Sequence, residues 1–101
     1  CALKILFLNK GNKTSLKYYN NKNEVLFVRS GMVRVEYDSE KYHWQDYGPR
    51  SLKTTTLVAG DVLCVQSQCP YRITAIEDSE IIEIGDTALD KAIRIDESEE
   101  I

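Results

Sequence analysis

Cysteine, the single histidine and a tyrosine behind a proline are the residues whose chemistry their spacing can test. Cys1, Cys64 and Cys69 are odd in number and match neither the paired spacing of a zinc site nor an even disulfide framework. Cys64 lies in an apolar run and is expected to be a reduced core residue. Cys69 precedes Pro70 in a polar loop, where a packed, inert thiol is expected over a reactive one. His43 stands in Tyr42-His43-Trp44-Gln45-Asp46-Tyr47. No partner base is fixed by spacing, so the expectation is a solvent-touched tip rather than a catalytic lid. Its aromatic neighbours would still suit sugar stacking or protein contact. The stretch GDVLCVQSQCPYRITA, Gly60 to Ala75, runs from a Gly-Asp turn through an apolar strand and a polar loop to Tyr71, which opens a second alternating strand.

Those residues are carried by strands. Period-two alternation dominates the chain and helical periodicity is nearly absent. Strands are predicted at Leu3–Leu8, Thr14–Tyr19, Glu24–Arg29, Met32–Tyr37, Leu52–Val58, Val62–Val65, Arg72–Ile76 and Glu80–Ile84. Turn chemistry separates them: Asn9 to Asn12, the loop Asn20-Asn21-Lys22-Asn23, Ser30-Gly31, Ala59-Gly60-Asp61 and Glu77-Asp78-Ser79. Ser30-Gly31 between two alternating runs predicts a hairpin, flanked by Arg29 and Arg34 as solvated cross-strand charges. Residues 38–51 form a long excursion containing Gly48-Pro49. The segment from Asp86 to Ile101 is expected to begin with a short helical turn, and its acidic end, 97–101, to fray. Short strands with regular turn signals indicate a β-sandwich or small barrel.

With 101 residues the chain is expected to form one domain, 1–101, with a single modest core. A net charge of −3 with scattered basic residues argues against a nucleic-acid partner. No apolar run reaches the roughly 20 residues of a membrane span, so no membrane partner is expected. The apolar opening CALKILFLN is interrupted by Lys4 and is read as a strand rather than a leader. Cysteine usage fits the cytoplasm. The start at Cys1 fits a trimmed chain or a piece of something longer.

Two turns carry a recognisable spacing. Glu24 is followed after six residues by Gly31, as at the end of the first cupin motif; Gly60 is followed eleven positions later by Tyr71, where the second motif has a histidine. The chain therefore resembles a single-domain cupin, an all-β, small double-stranded β-helix with a jelly-roll-like barrel. Ser15-Leu16, Glu24 and Ser30-Gly31, with the tail from Ile82-Glu83-Ile84 to Ala92-Ile93-Arg94-Ile95-Asp96-Glu97, are similar to the cupin domain of type II mannose-6-phosphate isomerases. That domain is often fused behind a mannose-1-phosphate guanylyltransferase.

In such domains a Gln, a His, a Glu and a later His hold a metal; the matching positions here are Lys17, Tyr19, Glu24 and Tyr71. A lysine ammonium has no free lone pair, and tyrosine keeps its proton near a pKa of about 10. Only Glu24 is a competent ligand, so neither metal nor other cofactor is expected. The replacements suggest a metal-free cluster in which Lys17 supplies the charge facing Glu24, and Tyr19 and Tyr71 donate hydroxyl hydrogen bonds. Alternation sends Arg72 to the face opposite Tyr71. Arg94 matches an arginine that could meet a sugar phosphate, although a surface ion pair with Asp96 or Glu97 is its ordinary role.

Three functions follow from the resemblance. The first is a non-catalytic cupin that binds a small polar ligand such as a sugar or sugar phosphate. The second is a metal-free sugar isomerase or epimerase, with Lys17, Glu24 and Tyr71 as acid–base candidates. The third is an interaction module of a larger assembly. A homodimer through first strands and sheet edges is the expectation by family analogy.

Overall fold

The structure is a computed structural model that describes residues 2–38, 52–86 and 93–96. These residues contain strands and turns but no helix. In chain order the strands are β1 (Ala2–Leu8), β2 (Leu16–Tyr18), β3 (Glu24–Ser30), β4 (Met32–Tyr37), β5 (Lys53–Val58), β6 (Val62–Val65), β7 (Tyr71–Ala75), β8 (Ser79–Gly85) and β9 (Ile93–Asp96). They form two sheets, one of four strands ordered β1-β8-β3-β6 and one of five ordered β5-β4-β7-β2-β9. Every described pairing is antiparallel.

The core lies between the sheets, where alternation places Leu26 and Val28 of β3, Val33 and Val35 of β4, Ile73 of β7 and Ile81 of β8. The five-stranded sheet keeps a polar outer face, with Arg34, Thr54 and Thr56 exposed on it. The four-stranded sheet does not: Leu3, Ile5 and Phe7 of β1 and Val62 of β6 are exposed on its outer side. Cys64 lies there too, exposed rather than in the core. The run Val62–Val65 is apolar on both faces, so its parity does not reveal which face is covered.

The hairpin expected at Ser30-Gly31 does not form. β3 pairs with β6 and β8, whereas β4 pairs with β5 and β7, so the turn is a corner carrying the chain from one sheet to the other. The β5–β6 and β7–β8 turns do the same. The corner is packed against the β7–β8 turn: Ser79 Oγ accepts from Met32 N at 3.0 Å and donates towards Glu77 O at 2.7 Å. Gly31 has φ +87°, and a Cβ there would collide with the Asp78 carbonyl and the Ser79 hydroxyl. Backbone conformation and crowding both demand glycine.

The predicted strand at Thr14–Tyr19 is regular only from Leu16. Before it, Thr14 N donates to Ile73 O at 2.9 Å, and Ile73 N donates to Thr14 Oγ1 at 3.1 Å. The tail holds a strand that alternation alone does not announce, β9, added to the edge beside β2. The expected helical turn falls largely on 87–92, outside the described residues, as do Cys1, residues 39–51 with His43, and the tail 97–101.

Candidate functional site

Two strand starts, the middle of a short strand and one loop converge at one end of the barrel. Glu24 opens β3 and Tyr71 opens β7, each on the inward face of its strand. Lys17, on β2, is the direct cross-strand partner of Tyr71 and therefore shares its face. Lys22 belongs to the loop between β2 and β3. That loop is tied down by Asn23, whose Oδ1 accepts from Ser67 N at 2.8 Å, and by Tyr19, whose carbonyl accepts from Gln68 N at 2.5 Å.

Within this frame the Tyr71 hydroxyl donates to Glu24 Oε2 at 2.9 Å. Lys22 Nζ lies 3.0 Å from Glu24 Oε1. Both oxygens of this buried carboxylate are thus engaged. Tyr71 is 0 % exposed and Glu24 3 %. Lys22 reaches inward because Gly85, the cross-strand partner of Glu24, has no side chain, and the lysine stem lies where a Cβ would stand. The two tyrosines also face cations: Lys22 Nζ is 4.6 Å from the Tyr19 ring centroid and Lys17 Nζ 5.6 Å from that of Tyr71.

Glu83 completes the cluster. It follows Ile81 at period two on β8, so alternation turns a carboxylate into the barrel, where it is 6 % exposed. Its Oε1 is buried and without a hydrogen-bond partner. Burial, and then the charge of Glu24, push the Glu83 pKa up; Lys17, Lys4 and Lys22 pull it back. Burial drives the Tyr71 pKa well above its ordinary value, with the carboxylates of Glu83 and Glu24 adding to it. Tyr71 is therefore a proton donor in a fixed hydrogen bond, and an ill-suited base.

The positions singled out in the sequence are distributed as follows. Lys17, Tyr19, Glu24 and Tyr71 are gathered at this barrel end, but the ammonium 3.0 Å from Glu24 is that of Lys22. Tyr19 contributes its ring to Lys22. Arg72 points away from Tyr71 and donates through Nε to Thr14 O at 3.2 Å. Arg94 is exposed on β9, paired with Lys17 across the strands. Lys22, Glu83 and Gly85 were not singled out. Parity could have found Glu83, because Ile81 fixes which face of β8 is inward.

The donor set does not fit a metal. One carboxylate is saturated by an ammonium and a phenol, the other favours its proton, and the phenol resists ionisation. Among the described residues no group of three or more His, Cys, Asp or Glu side chains could hold an ion. Beside this end lies a cleft of ≈ 320 Å³ walled by Asn23, Glu24, Gly85 and Asp86 together with Val25, Cys64 and Ile84 from the outer side of the four-stranded sheet. A second cavity, of ≈ 210 Å³, lies between Tyr37, Leu63, Val65 and Cys69, which is itself buried.

Solved structures share this arrangement of strands. The Drosophila melanogaster CENP-C domain bound to CAL1 matches with a TM-score of 0.66 at 20% identity, over 83% of this chain and 60% of that one. Bacillus subtilis oxalate decarboxylase, in a deletion mutant, matches with a TM-score of 0.75 at 19% identity, over 92% of this chain and 23% of that one. The CENP-C domain is itself described as a cupin domain. The fold is a cupin fold. KdgF from a Halomonas species is similar as well, with a TM-score of 0.66 at 17% identity, over 82% of this chain and 66% of that one. This chain spans less than two thirds of the CENP-C chain and about a quarter of the oxalate decarboxylase chain. At such identities the likeness establishes the cupin fold and nothing of the chemistry. No family model and no curated protein matches the chain by sequence.

Proposed function

We propose that this is a metal-free, non-catalytic cupin whose barrel end binds a small polar ligand of the sugar or sugar-phosphate class. The observation that carries this reading is a saturated acid beside an unsaturated one. Lys22 and Tyr71 take both oxygens of Glu24, while Oε1 of Glu83 is buried with no partner. A buried polar atom without a partner costs about 1–3 kcal/mol, and a ligand hydroxyl would remove that cost. Lys4, Lys17 and Lys22 surround the carboxylates and favour a ligand that also carries negative charge. The cleft beside Glu24, whose wall does not include Glu83, is the size of a small ligand's site. The likeness to the isomerase cupin domain makes mannose phosphates the first compounds to try, with Arg94 at the rim as a phosphate contact. A cytoplasmic setting suits the free thiols of Cys64 and Cys69.

The isomerase or epimerase alternative is less well supported. Tyr71 is fully buried with a raised pKa, and Glu24 is held by an ammonium, so neither is placed to exchange protons with a sugar. Thermal-shift titration with mannose phosphates, other sugar phosphates and nucleotide sugars tests the ligand, because a ligand bound only by the folded state raises the melting temperature. The shift should shrink in Glu83→Gln. No shift with any sugar would remove the ligand reading. Stoichiometric zinc, iron or manganese in the purified protein would overturn the metal-free one. A second reading, an interaction module, is favoured by the exposed apolar face of the four-stranded sheet. The similar CENP-C domain, bound to CAL1, supports it as an analogy.

A further inference from the structure

The hydrogen bond between Tyr71 and Glu24 crosses from one sheet to the other and divides the end of the barrel in two. Strand register fixes what stands on each side. Tyr71 has Lys17 as its cross-strand partner on one side and Tyr37 on the other. Glu24 has Gly85 on one side and Val65 on the other. Lys22 fills the Gly85 side, where its stem takes the place of a Cβ. The other side is left with the cavity of ≈ 210 Å³ between Tyr37, Leu63, Val65 and Cys69.

Topology explains why space remains there. β6 is four residues long and lies at the edge of its sheet, with β3 as its only partner among the described residues. The gap between β6 and β4 is spanned by the loop 66–70 instead of a strand. Backbone hydrogen bonds hold that loop: Asp38 N donates to Pro70 O at 3.0 Å, Cys69 N to Gln66 O at 3.2 Å, and Gln68 N to Tyr19 O. The cavity is therefore formed before anything occupies it. Val65 and Cys69, both buried, make its inner wall with the half-buried Leu63 and Tyr37, while the exposed Gln66 marks its opening and Asp38 stands beside it.

We propose that this cavity is a second binding site, for a small molecule built on one aromatic ring and carrying no negative charge. Size sets the first limit. An apolar cavity of about 150 Å³ stays dry and accepts a benzene ring, so ≈ 210 Å³ holds one ring with a small substituent. The wall sets the chemistry. Aliphatic and thiol groups would strip water from a sugar's hydroxyls and return no hydrogen bonds. An apolar ring instead restores dispersion contacts that the lining atoms of a void lack. Tyr37 in the wall favours an aromatic occupant, which can lie offset against its ring or edge-on to it. Asp38 in the same wall disfavours an anion. This ligand class differs from the one proposed for the neighbouring cleft. Cys64, Val65 and Gln66 stand between the two spaces and line both, whereas Tyr37, Leu63 and Cys69 line only the cavity.

Ligand-observed NMR titration with toluene, phenol and benzoate tests the site. Toluene and phenol should bind in competition with each other, and benzoate at least about tenfold more weakly. Leu63→Trp, which fills the cavity with its own ring, should abolish both while melting as a folded protein. Cys69 supplies a readout that does not depend on that variant folding. In a Cys1→Ser, Cys64→Ser chain, phenol at ten times its Kd should slow the reaction of Cys69 with methyl methanethiosulfonate by about tenfold. Mannose 6-phosphate should not slow it. Four results would overturn the site: no binding of toluene or phenol, binding that survives in folded Leu63→Trp, Cys69 labelling that phenol leaves unchanged, or a Cys69 closed to the reagent without any ligand. The last includes a cavity already filled by another part of the chain. The sugar reading is judged by its own thermal shifts, which folded Leu63→Trp should retain, so the two proposals fail separately.

Discussion

The Tyr71 hydroxyl donates to Glu24 Oε2 at 2.9 Å, joining the first residue of β7 to the first residue of β3 across the barrel. The two strands belong to different sheets, so the bond fastens the layers at one end. Tyr71→Phe preserves the ring and leaves a buried carboxylate oxygen without its donor. The expected cost is about 1–3 kcal/mol, or a fall in Tm of several degrees, since about 1 kcal/mol moves a domain of this size by roughly 4–8 °C. Glu24→Gln in the same chain should restore part of the loss, and a double-mutant cycle by chemical denaturation measures the coupling. Strict additivity would deny the bond an energetic role.

Lys22 and Lys17 both hold ammonium groups near tyrosine rings, but Lys22 is the one at 3.0 Å from Glu24. Lys22→Met strands a carboxylate whose side chain is 2 % exposed, at a cost of about 2–4 kcal/mol once the partial exposure of the lysine is allowed for. Lys17→Met removes a cation–π contact worth about 0.5–1 kcal/mol. Urea unfolding of the two variants should separate them clearly. Equal losses would mean that Lys17 carries as much of the charge balance as Lys22.

Glu83 sets a pH dependence of definite sign. Folding raises its pKa, so the folded chain holds that proton more tightly than the unfolded chain does. The stability this contributes is complete below the ordinary glutamate value of 4.5 and is lost as pH rises through the higher folded value. Glu83→Gln cannot ionise. Its melting temperature should gain on that of the wild type as pH rises from the ordinary glutamate value of 4.5 towards neutrality. Melting curves that stay parallel across this interval would show that Glu83 ionises as easily in the fold as outside it.

Much of the barrel was legible because alternation is a local signal. Val33 and Val35 against Arg34 mark an inward and an outward face without knowledge of any neighbour. Partnership is not local. Ser30-Gly31 suits a hairpin and a corner equally well, and what decides is the Asp78–Ser79 turn packed on Gly31 from far along the chain. Lys22 looked like loop polarity among asparagines, since only the absence of a side chain at Gly85 brings it to Glu24. Glu24 and Tyr71 stood out through motif spacing. Glu83 needed the further step of assigning parity from Ile81. Cys64 was misplaced because its run is apolar on both faces.

Gly31 and Gly60 offer a controlled comparison of what holds a corner together. Both have positive φ, +87° and +97°, and both follow a strand that hands over to the other sheet. Around Gly60 nothing lies within 4 Å of the point where a Cβ would stand, whereas at Gly31 that point is blocked by the Asp78 carbonyl and by Ser79. Gly60→Ala should therefore cost only the left-handed conformation, about 1–2 kcal/mol. Gly31→Ala should cost that and more, because the obstruction includes backbone and cannot swing aside. A loss beyond about 4 kcal/mol would approach the whole stability of a domain this size, so the variant is expected to be largely unfolded at about 37 °C. Gly31→Asn, which tolerates positive φ, should not rescue it, whereas Gly60→Asn should fold nearly as well as wild type. Circular dichroism melts of the four variants check the contrast. Equal melting temperatures for Gly31→Ala and Gly60→Ala would mean that backbone conformation alone, and not the contact with the β7–β8 turn, fixes the corner.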